Sequence, residues 1–292
     1  MERGWSRLAS GEVRFDEIGY WSEIKLDIVR KYARAYSVIL TRKKSENSRF
    51  SHAYIDGFAG SGVNISRSTG EWIPGSPLNA LNIEPKFDEY YLIDLDGDKV
   101  SALKAMVGNR SDVHIFHGDC NEILLRDVFP KISYESCKRA LCLLDPYGLH
   151  LQWKVIECAG KMGTIDLFLN FPVMDINRNA LWRNPEGVQE YAIERMNAFW
   201  GDESWRDIAY EKRATLFGYD KEIKRSNEEV AEAFRKRLCE KAGFKHVPKP
   251  MPMRNSKGSI VYYLYFASQK QVAERIIKDI FRKYESRSAQ HG

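Results

Sequence analysis

The sequence predicts an α/β protein built on a doubly wound, mostly parallel sheet. Two observations indicate this class: short apolar segments bounded by turn residues recur along the chain, and the stretches between them are long enough for helices. The apolar segments are 52–56, 90–94, 113–117, 140–145 and 164–170. Near-continuous apolar runs of this length are typical of strands buried on both faces of a parallel sheet.

Helices are predicted on both sides of these strands. Apolar residues recur every four positions through 22–41, which indicates an amphipathic helix before the first strand, and the charged stretch 42–49 is predicted to be a loop. Over 76–81, Ser76 is the expected cap and Pro77 lies in the first turn. Ser226 and Glu229 have the spacing of a capping box, and that helix should end at Gly243.

The last part of the chain departs from the alternating pattern. Segments 246–254 and 260–267 flank a short turn at 255–258, which predicts an antiparallel hairpin, followed by a closing helix from Gln271. The stretch 175–225 is rich in Arg and Trp, holds no convincing strand and is predicted to be a helical insertion with a helix over 185–200. Four segments are expected: an amino-terminal helical segment (1–50), a core (51–174), the insertion (175–225) and the completion of the core (226–292).

Composition places the chain among cytoplasmic globular proteins. Its 292 residues are 43% hydrophobic and carry a net charge of +5, which slightly favours an anionic partner. The five cysteines form no C-x-x-C pair, so a reducing compartment is expected and a metal site is not. Residues 1–19 lack the apolar core of a secretory signal, and no stretch approaches the roughly 20 apolar residues of a membrane span.

A glycine-rich turn follows the first predicted strand. Asp56-Gly57-Phe58-Ala59-Gly60-Ser61-Gly62 has the spacing G-x-x-G-x-G. Glycines let a backbone turn sharply and approach a ligand that a Cβ atom would hold off. An ordinary loop would also use such glycines.

Acidic residues follow the second and third predicted strands. Asp94 stands where a carboxylate can accept hydrogen bonds from both hydroxyls of a ribose, with Asp96 as a second candidate. The alternative is that Asp94, Asp96 and Asp98 are turn and helix-cap residues. Asp119 stands where an adenine amino group could be reached, although Gly118-Asp119 could also be a plain turn.

The fourth strand is followed by Asp145-Pro146-Tyr147. A carboxylate and a backbone carbonyl held beside proline can accept hydrogen bonds from an amino group, and a tyrosine ring can stack on a planar base. These residues are the predicted catalytic group. In the alternative interpretation, Asp145 caps a helix and Tyr147 packs locally.

The motifs resemble those of amino-methyltransferases. Residues 56–62 are similar to their D-P-F-A-G-S-G signature with Gly57 in place of proline, and 145–147 to their D-P-P-Y without the second proline. The resemblance implies a Rossmann-like class I methyltransferase fold with a seven-stranded, mostly parallel sheet, and S-adenosyl-L-methionine as cofactor. It assigns Asp94 to the ribose and Asp119 to the adenine. The residues that it assigns to the methionine end are Asp56, Gly57, Phe58, Gly60 and Gly62.

A closer resemblance is to the bacterial three-Cys-motif partner protein family. It is carried by 54–60, 75–78 and 144–148 and extends over roughly 24–205. That family is regarded as methyltransferase-like and is linked to a radical-SAM-like protein. The resemblance implies a three-Cys-motif protein as partner.

The insertion supplies candidate substrate-binding residues. Arginine and aromatic residues are interleaved there, a mixture suited to phosphate contacts and base stacking, and the candidates are Arg178, Trp182 and Arg183. The aromatics could equally form the insertion's own small core.

These observations favour S-adenosylmethionine-dependent N-methylation of a DNA or RNA base. The alternative is a non-catalytic, methyltransferase-like subunit, or a nucleic-acid-binding partner of a three-Cys-motif protein. A nicotinamide oxidoreductase is disfavoured by the glycine spacing and by the terminal hairpin. The sequence does not predict the oligomeric state.

Overall fold

The computed structural model describes residues 6–8, 11–13, 15–182, 184–214, 220–255 and 257–288. The first elements in chain order are β1 (Ser6–Leu8), β2 (Gly11–Val13), β3 (Asp16–Ile18), α1 (Tyr20–Glu46), β4 (Ser51–Asp56), β5 (Val63–Ser66), β6 (Trp72–Pro74), α2 (Ser76–Leu81), β7 (Glu89–Asp94), α3 (Gly97–Val107), β8 (Val113–His117), α4 (Cys120–Ile123), a π-helical turn (Leu124–Val128), a 3-10 turn (Phe129–Lys131) and β9 (Lys138–Leu144).

The remaining elements, in chain order, begin at Trp153. They are α5 (Trp153–Met162), β10 (Ile165–Phe171), α6 (Val173–Asn179), a 3-10 turn (Pro185–Gly187), α7 (Glu190–Trp200), α8 (Trp205–Ala209), β11 (Tyr210–Ala214), β12 (Asp220–Lys224), α9 (Asn227–Glu240), β13 (Met251–Arg254), β14 (Ile260–Ala267) and α10 (Gln271–Ser288).

Seven strands form the central sheet in the order β13-β14-β10-β9-β4-β7-β8. The pairs β4/β7, β4/β9 and β7/β8 are parallel, whereas β14 runs antiparallel to both β10 and β13. A parallel block ending in an antiparallel hairpin is the arrangement of the class I methyltransferase fold. The predicted α/β fold is confirmed, including the terminal hairpin.

The chain divides into two compact units. The first comprises Met1–Leu143 with Ile276–Gly292, and the second comprises Leu144–Arg275. The four segments expected from the sequence stay a prediction.

Several local features differ from the prediction. Helix α1 continues to Glu46, so the loop expected from residue 42 begins later, because Lys43 and Lys44 are favourable in a last helical turn. Gly75, rather than Ser76, is the N-cap of α2. Within the insertion, an unpredicted antiparallel pair, β11 and β12, follows helix α8. Strands β3, β5 and β6 form a further small sheet that the sequence did not indicate.

The first unit buries the predicted stripe of α1. Ile28, Tyr32, Tyr36 and Leu40 are all buried, as a four-residue apolar repeat requires. The ends of the unit meet at one polar cluster: Tyr284 of α10 donates a hydrogen bond to Asp27 and accepts one from Lys31. Burial raises the pKa of Asp27, but hydrogen bonds from Tyr284, Lys31 and Arg30 outweigh it and lower that pKa to about 2.

The second unit is built around the ring of Phe234 in α9. Its centroid lies 4.7 Å from that of Phe171, 5.6 Å from Phe199, 5.3 Å from Trp200 and 5.4 Å from Tyr265. All five side chains are fully buried. Ring pairs at these separations add to the stabilisation that burial alone provides.

Three further observations concern the described part of the chain. All five cysteines are free thiols. Over the described ranges, no group of three or more His, Cys, Asp or Glu side chains is placed to hold a metal ion. Among the helices that the structure describes, none has the length and apolar character needed to span a bilayer.

We expect Phe234→Ala to lower the free energy of unfolding by about 3–5 kcal/mol, because the cavity would open at the centre of this ring cluster. Urea unfolding followed by circular dichroism measures the change. Tyr191→Ala is the control, since Tyr191 is 58% exposed, and it should shift the value by less than about 0.5 kcal/mol. Equal effects of the two substitutions would contradict a core centred on Phe234.

Candidate functional site

Backbone hydrogen bonds fix the glycine-rich turn at the end of β4. The Gly57 amide donates to the Leu143 carbonyl at 3.0 Å, and the Ala59 amide donates to the Ile93 carbonyl at 2.9 Å. The fully buried Asp56 accepts from the Phe58 amide at 3.2 Å. The described contacts of Asp56 therefore shape the turn, and its predicted contact with the methionine end stays a prediction.

Two glycines of the turn have backbone conformations that favour glycine. Gly60 has φ +64° and Gly62 has φ +91°. A Cβ atom at Gly62 would lie 2.9 Å from Leu103 Cδ1, so this glycine permits close packing on α3, whereas a Cβ atom at Gly60 would meet nothing within 4 Å. The backbone at Gly60 consequently borders open space, as a ligand-binding turn requires.

Asp94 connects the turn to the next two strands. Its Oδ2 accepts from the Gly60 amide at 2.7 Å, and its Oδ1 accepts from the Asp96 amide at 2.9 Å. Its backbone carbonyl accepts from the Gly118 amide at 3.0 Å. Each carboxylate oxygen has a second lone pair, so the group can still accept hydrogen bonds from a diol.

Asp96 has the alternative role that the sequence allowed. It is the N-cap of α3, and its Oδ1 accepts from the Asp98 amide at 2.9 Å and from the Lys99 amide at 3.3 Å. The two neighbouring carboxylates thus have different structural roles: Asp96 caps helix α3, whereas Asp94 is hydrogen-bonded to the glycine-rich turn.

Asp119 lies near Asp94. It is exposed and caps α4, and its Oδ1 accepts from the Asn121 amide at 2.7 Å. Burial, followed by the negative charges of Asp119 and Asp94, raises the pKa of the Cys120 thiol to about 12. Because the Gly118 amide donates to the Asp94 carbonyl, the structure places the two predicted residues at neighbouring strand ends in the first unit.

The sequence analysis missed one residue at this edge. Leu95 is 72% exposed, between Asp94 and Asp96. An exposed leucine beside two acidic residues offers an apolar surface for a planar ring. An apolar residue directly after the acidic strand end was the available signal.

In the second unit, the residues of the Asp145-Pro146-Tyr147 motif differ in exposure. Pro146 is buried and Asp145 is half-buried, whereas Tyr147 is 76% exposed, more than the alternative of local packing predicts. Helix α5 begins at Trp153 and its N-cap is Gln152, so Asp145 does not cap it. Most of the Tyr147 side chain is therefore accessible to solvent.

Two residues that the sequence analysis missed surround this motif. The Asn170 side chain, 6% exposed, donates from Nδ2 to the Pro146 carbonyl at 3.1 Å, while its Oδ1 is buried without a hydrogen-bond partner. Asp175 Oδ2 is also buried without one, and it would lie 2.7 Å from a Cβ atom added at Gly148. Two buried acceptors without protein donors beside 146–148 reduce stability unless a water molecule or a ligand donates to them.

The predicted substrate residues are only partly described. Arg178 is exposed, and its carbonyl accepts from Trp182 Nε1 at 2.6 Å, with the Trp182 side chain 38% exposed. Arg183 lies outside the described residues. Trp200 and Trp205 are buried, so those aromatics follow the alternative interpretation as core of the second unit.

Comparisons with known proteins return similarities only among solved structures. No family model matches the sequence, and no curated protein matches it. A Legionella pneumophila protein of the family model DUF519 is 13% identical, with 89% of this chain and 91% of that chain covered and a TM-score of 0.48. None of the comparisons shows the three-Cys-motif partner family, and that resemblance stays a prediction.

Two of the similar structures are described as S-adenosylmethionine-dependent methyltransferases. The one from Leishmania major is 10% identical, with 85% of this chain and 82% of that chain covered and a TM-score of 0.36. The one from Mesorhizobium loti is 11% identical, with 75% and 90% covered and a TM-score of 0.36. The fold is assigned from the strand order and not from these similarities.

We expect Gly148→Ala to lower the free energy of unfolding by about 1–3 kcal/mol, because the new methyl group would overlap Asp175 Oδ2. In an Asp175→Ala background the same change should cost less than about 1 kcal/mol. Urea unfolding of the four proteins measures this coupling. Equal costs in both backgrounds would show that the carboxylate does not lie against Gly148.

Proposed function

We propose that the protein is an S-adenosylmethionine-dependent methyltransferase that methylates a nitrogen of a DNA or RNA base. The observation that carries the proposal is the position of Asp94, which is hydrogen-bonded to the glycine-rich turn at Gly60 and to the end of β8 at Gly118. A carboxylate at a strand end that is hydrogen-bonded to an open glycine backbone suits a nucleoside. We further propose that the protein acts in the cytoplasm.

The residues of the first unit fit the cofactor. The ribose diol needs acceptors, which Asp94 can supply, and the adenine amino group needs one acceptor, which Asp119 can supply. Leu95 offers an apolar surface for the adenine ring, and the open space at Gly60 leaves room for the methionine end. When bound, S-adenosylmethionine would supply an electrophilic methyl group on its sulfonium.

The residues of the second unit suit an amine as the methyl acceptor. The Asp145 carboxylate and the Pro146 carbonyl can each accept a hydrogen bond from one of the two N–H groups of an amino group, so the nitrogen lone pair stays directed at the methyl group. The Asp145 carboxylate can also accept the proton that the nitrogen loses after transfer. Tyr147 would stack on the base. Orienting the amine in this way can supply much of the rate enhancement of such a transfer. A base within a duplex would first be flipped out.

A nucleic-acid substrate is supported by charge and by exposed side chains. The chain has a net charge of +5, and Arg178 and Trp182 are exposed within the predicted insertion. Such residues can contact phosphates and stack on bases.

The alternative is a non-catalytic subunit working with a three-Cys-motif, radical-SAM-like partner. One observation favours it: both oxygens of Asp94 and one oxygen of Asp119 already accept hydrogen bonds from the protein itself. These carboxylates could therefore be purely structural. Cofactor titration separates the two functions.

We expect the wild-type protein to bind S-adenosylmethionine with micromolar affinity, and Asp94→Ala to weaken binding at least about tenfold because the ribose acceptor is lost. Isothermal calorimetry measures both. Asp96→Ala is the matched control: loss of a helix cap should lower stability by about 1 kcal/mol and leave cofactor affinity unchanged. If the folded wild-type protein does not bind S-adenosylmethionine, methyl transfer is excluded and the result supports the non-catalytic subunit.

Methyl transfer itself tests the acceptor motif. We expect Asp145→Asn to lower kcat about a hundredfold, because a carboxylate that orders the amine is replaced by an amide. Tyr147→Ala should raise the KM for nucleic acid about tenfold through lost stacking, and Tyr147→Phe should retain the wild-type value. Transfer of a labelled methyl group to single-stranded DNA and RNA measures these constants. If the Asp145→Asn variant has the wild-type kcat, the motif does not take part in catalysis.

A further inference from the structure

The second unit contains a polar pocket apart from the Asp145-Pro146-Tyr147 motif. Its volume is about 580 Å³. This lies within the range of small-molecule sites, roughly 300–1,000 Å³. The described residues that line it are Asn177, Asn184, Glu222, Ile223, Lys224, Arg225 and Asn227.

Hydrogen bonds hold one wall of the pocket in place. Lys224 Nζ donates to Asn177 Oδ1 and to the Leu181 carbonyl, both at 2.6 Å. Asn177 Nδ2 donates in turn to Asn227 Oδ1 at 3.0 Å. Asn227 opens helix α9 directly after the Ser226 capping box. The wall joins α6, β12 and α9 and is ordered before any ligand arrives, which lowers the entropic cost of binding.

One side chain of the lining, Arg225, has a buried N–H donor whose partner the structure does not provide. Its Nε is buried and has no hydrogen-bond partner in the structure. Because the Nε atom itself is inaccessible, a phosphate would reach the half-buried Arg225 side chain through its terminal N–H groups, which bind phosphate as paired donors. The lining carries Lys224 and Arg225 against Glu222, so its formal charge favours an anion.

The rest of the lining suits a base. Asn184 carries both a donor and an acceptor, which is the chemistry that reads the edges of nucleobases, while Asn177 and Asn227 use their oxygens within the wall and retain N–H donors. Ile223 is 40% exposed and offers an apolar surface against which a ring can lie. Glu222 can accept from an exocyclic amino group. The pocket therefore combines an anion donor, amide groups and an apolar surface.

We propose that this pocket binds one nucleotide of the nucleic-acid substrate, with a phosphate on Arg225 and the base edge on the asparagines. The inference rests on the proposed function and extends it, because it gives the enzyme a second nucleotide contact separate from the acceptor base. A nucleotide held here would select the sequence or structure around the methylated position.

The test uses the full chain and nucleoside monophosphates as probes, with affinity measured by calorimetry in the absence of S-adenosylmethionine. We expect at least one monophosphate to bind more tightly than inorganic phosphate. Arg225→Gln should weaken that binding about tenfold or more, since a charged hydrogen bond is lost. Asn184→Ala should weaken it about threefold to tenfold and, being on an exposed stretch, should leave folding intact.

Arg282→Gln is the matched control, because Arg282 is 72% exposed and lies in the first unit, and it should bind like the wild type. Unchanged affinity in both Arg225→Gln and Asn184→Ala overturns the inference, as does the absence of nucleotide binding by the wild type. If inorganic phosphate binds as tightly as every monophosphate, the base makes no contact in the pocket and the inference is overturned. Titration of the same proteins with S-adenosylmethionine distinguishes the two proposals. Nucleotide binding without cofactor binding would contradict methyl transfer and leave the nucleotide pocket in place.

Discussion

The carboxyl edge of the first unit depends on one side chain. Asp94 accepts hydrogen bonds from Gly60 through its carboxylate and from Gly118 through its carbonyl, so the ends of β4, β7 and β8 are linked at one residue. Hydrogen bonds to a charged acceptor are stronger than those between neutral groups. A glycine-rich turn alone has large conformational freedom, and this carboxylate selects one arrangement of it.

The candidate sites of the two units differ in how their polar groups are hydrogen-bonded. In the first unit the site carboxylates Asp94 and Asp119 are partly satisfied by backbone amides. In the second unit Asn170 and Asp175 each keep a buried acceptor without a partner, and Arg225 keeps a buried donor. Unsatisfied buried groups reduce stability, and they are tolerated where binding a ligand completes them. The candidate site of the first unit is thus ordered by its own hydrogen bonds, whereas the second unit contains buried polar atoms without partners.

Much of the fold could be predicted because buried parallel strands have a simple pattern. The five central strands were found within two residues of their bounds, and the glycine-rich turn and Asp94 follow from where the first two strands end. The pair β11 and β12 was missed because its short, charged strands lack an apolar alternation. Asn170 and Asp175 were missed for another reason: their significance lies in unpaired atoms, which only tertiary packing determines.

The first unit is discontinuous in the chain, since residues 276–292 belong with residues 1–143. Tyr284 reaches back to Asp27 and Lys31, and these partners are separated by more than 250 positions. During synthesis, the polar cluster of α1 therefore cannot close until residue 284 has been translated. The second unit, 144–275, is continuous and can become compact earlier, although translation starts with the first. Folding order on the ribosome would thus invert the order of the sequence.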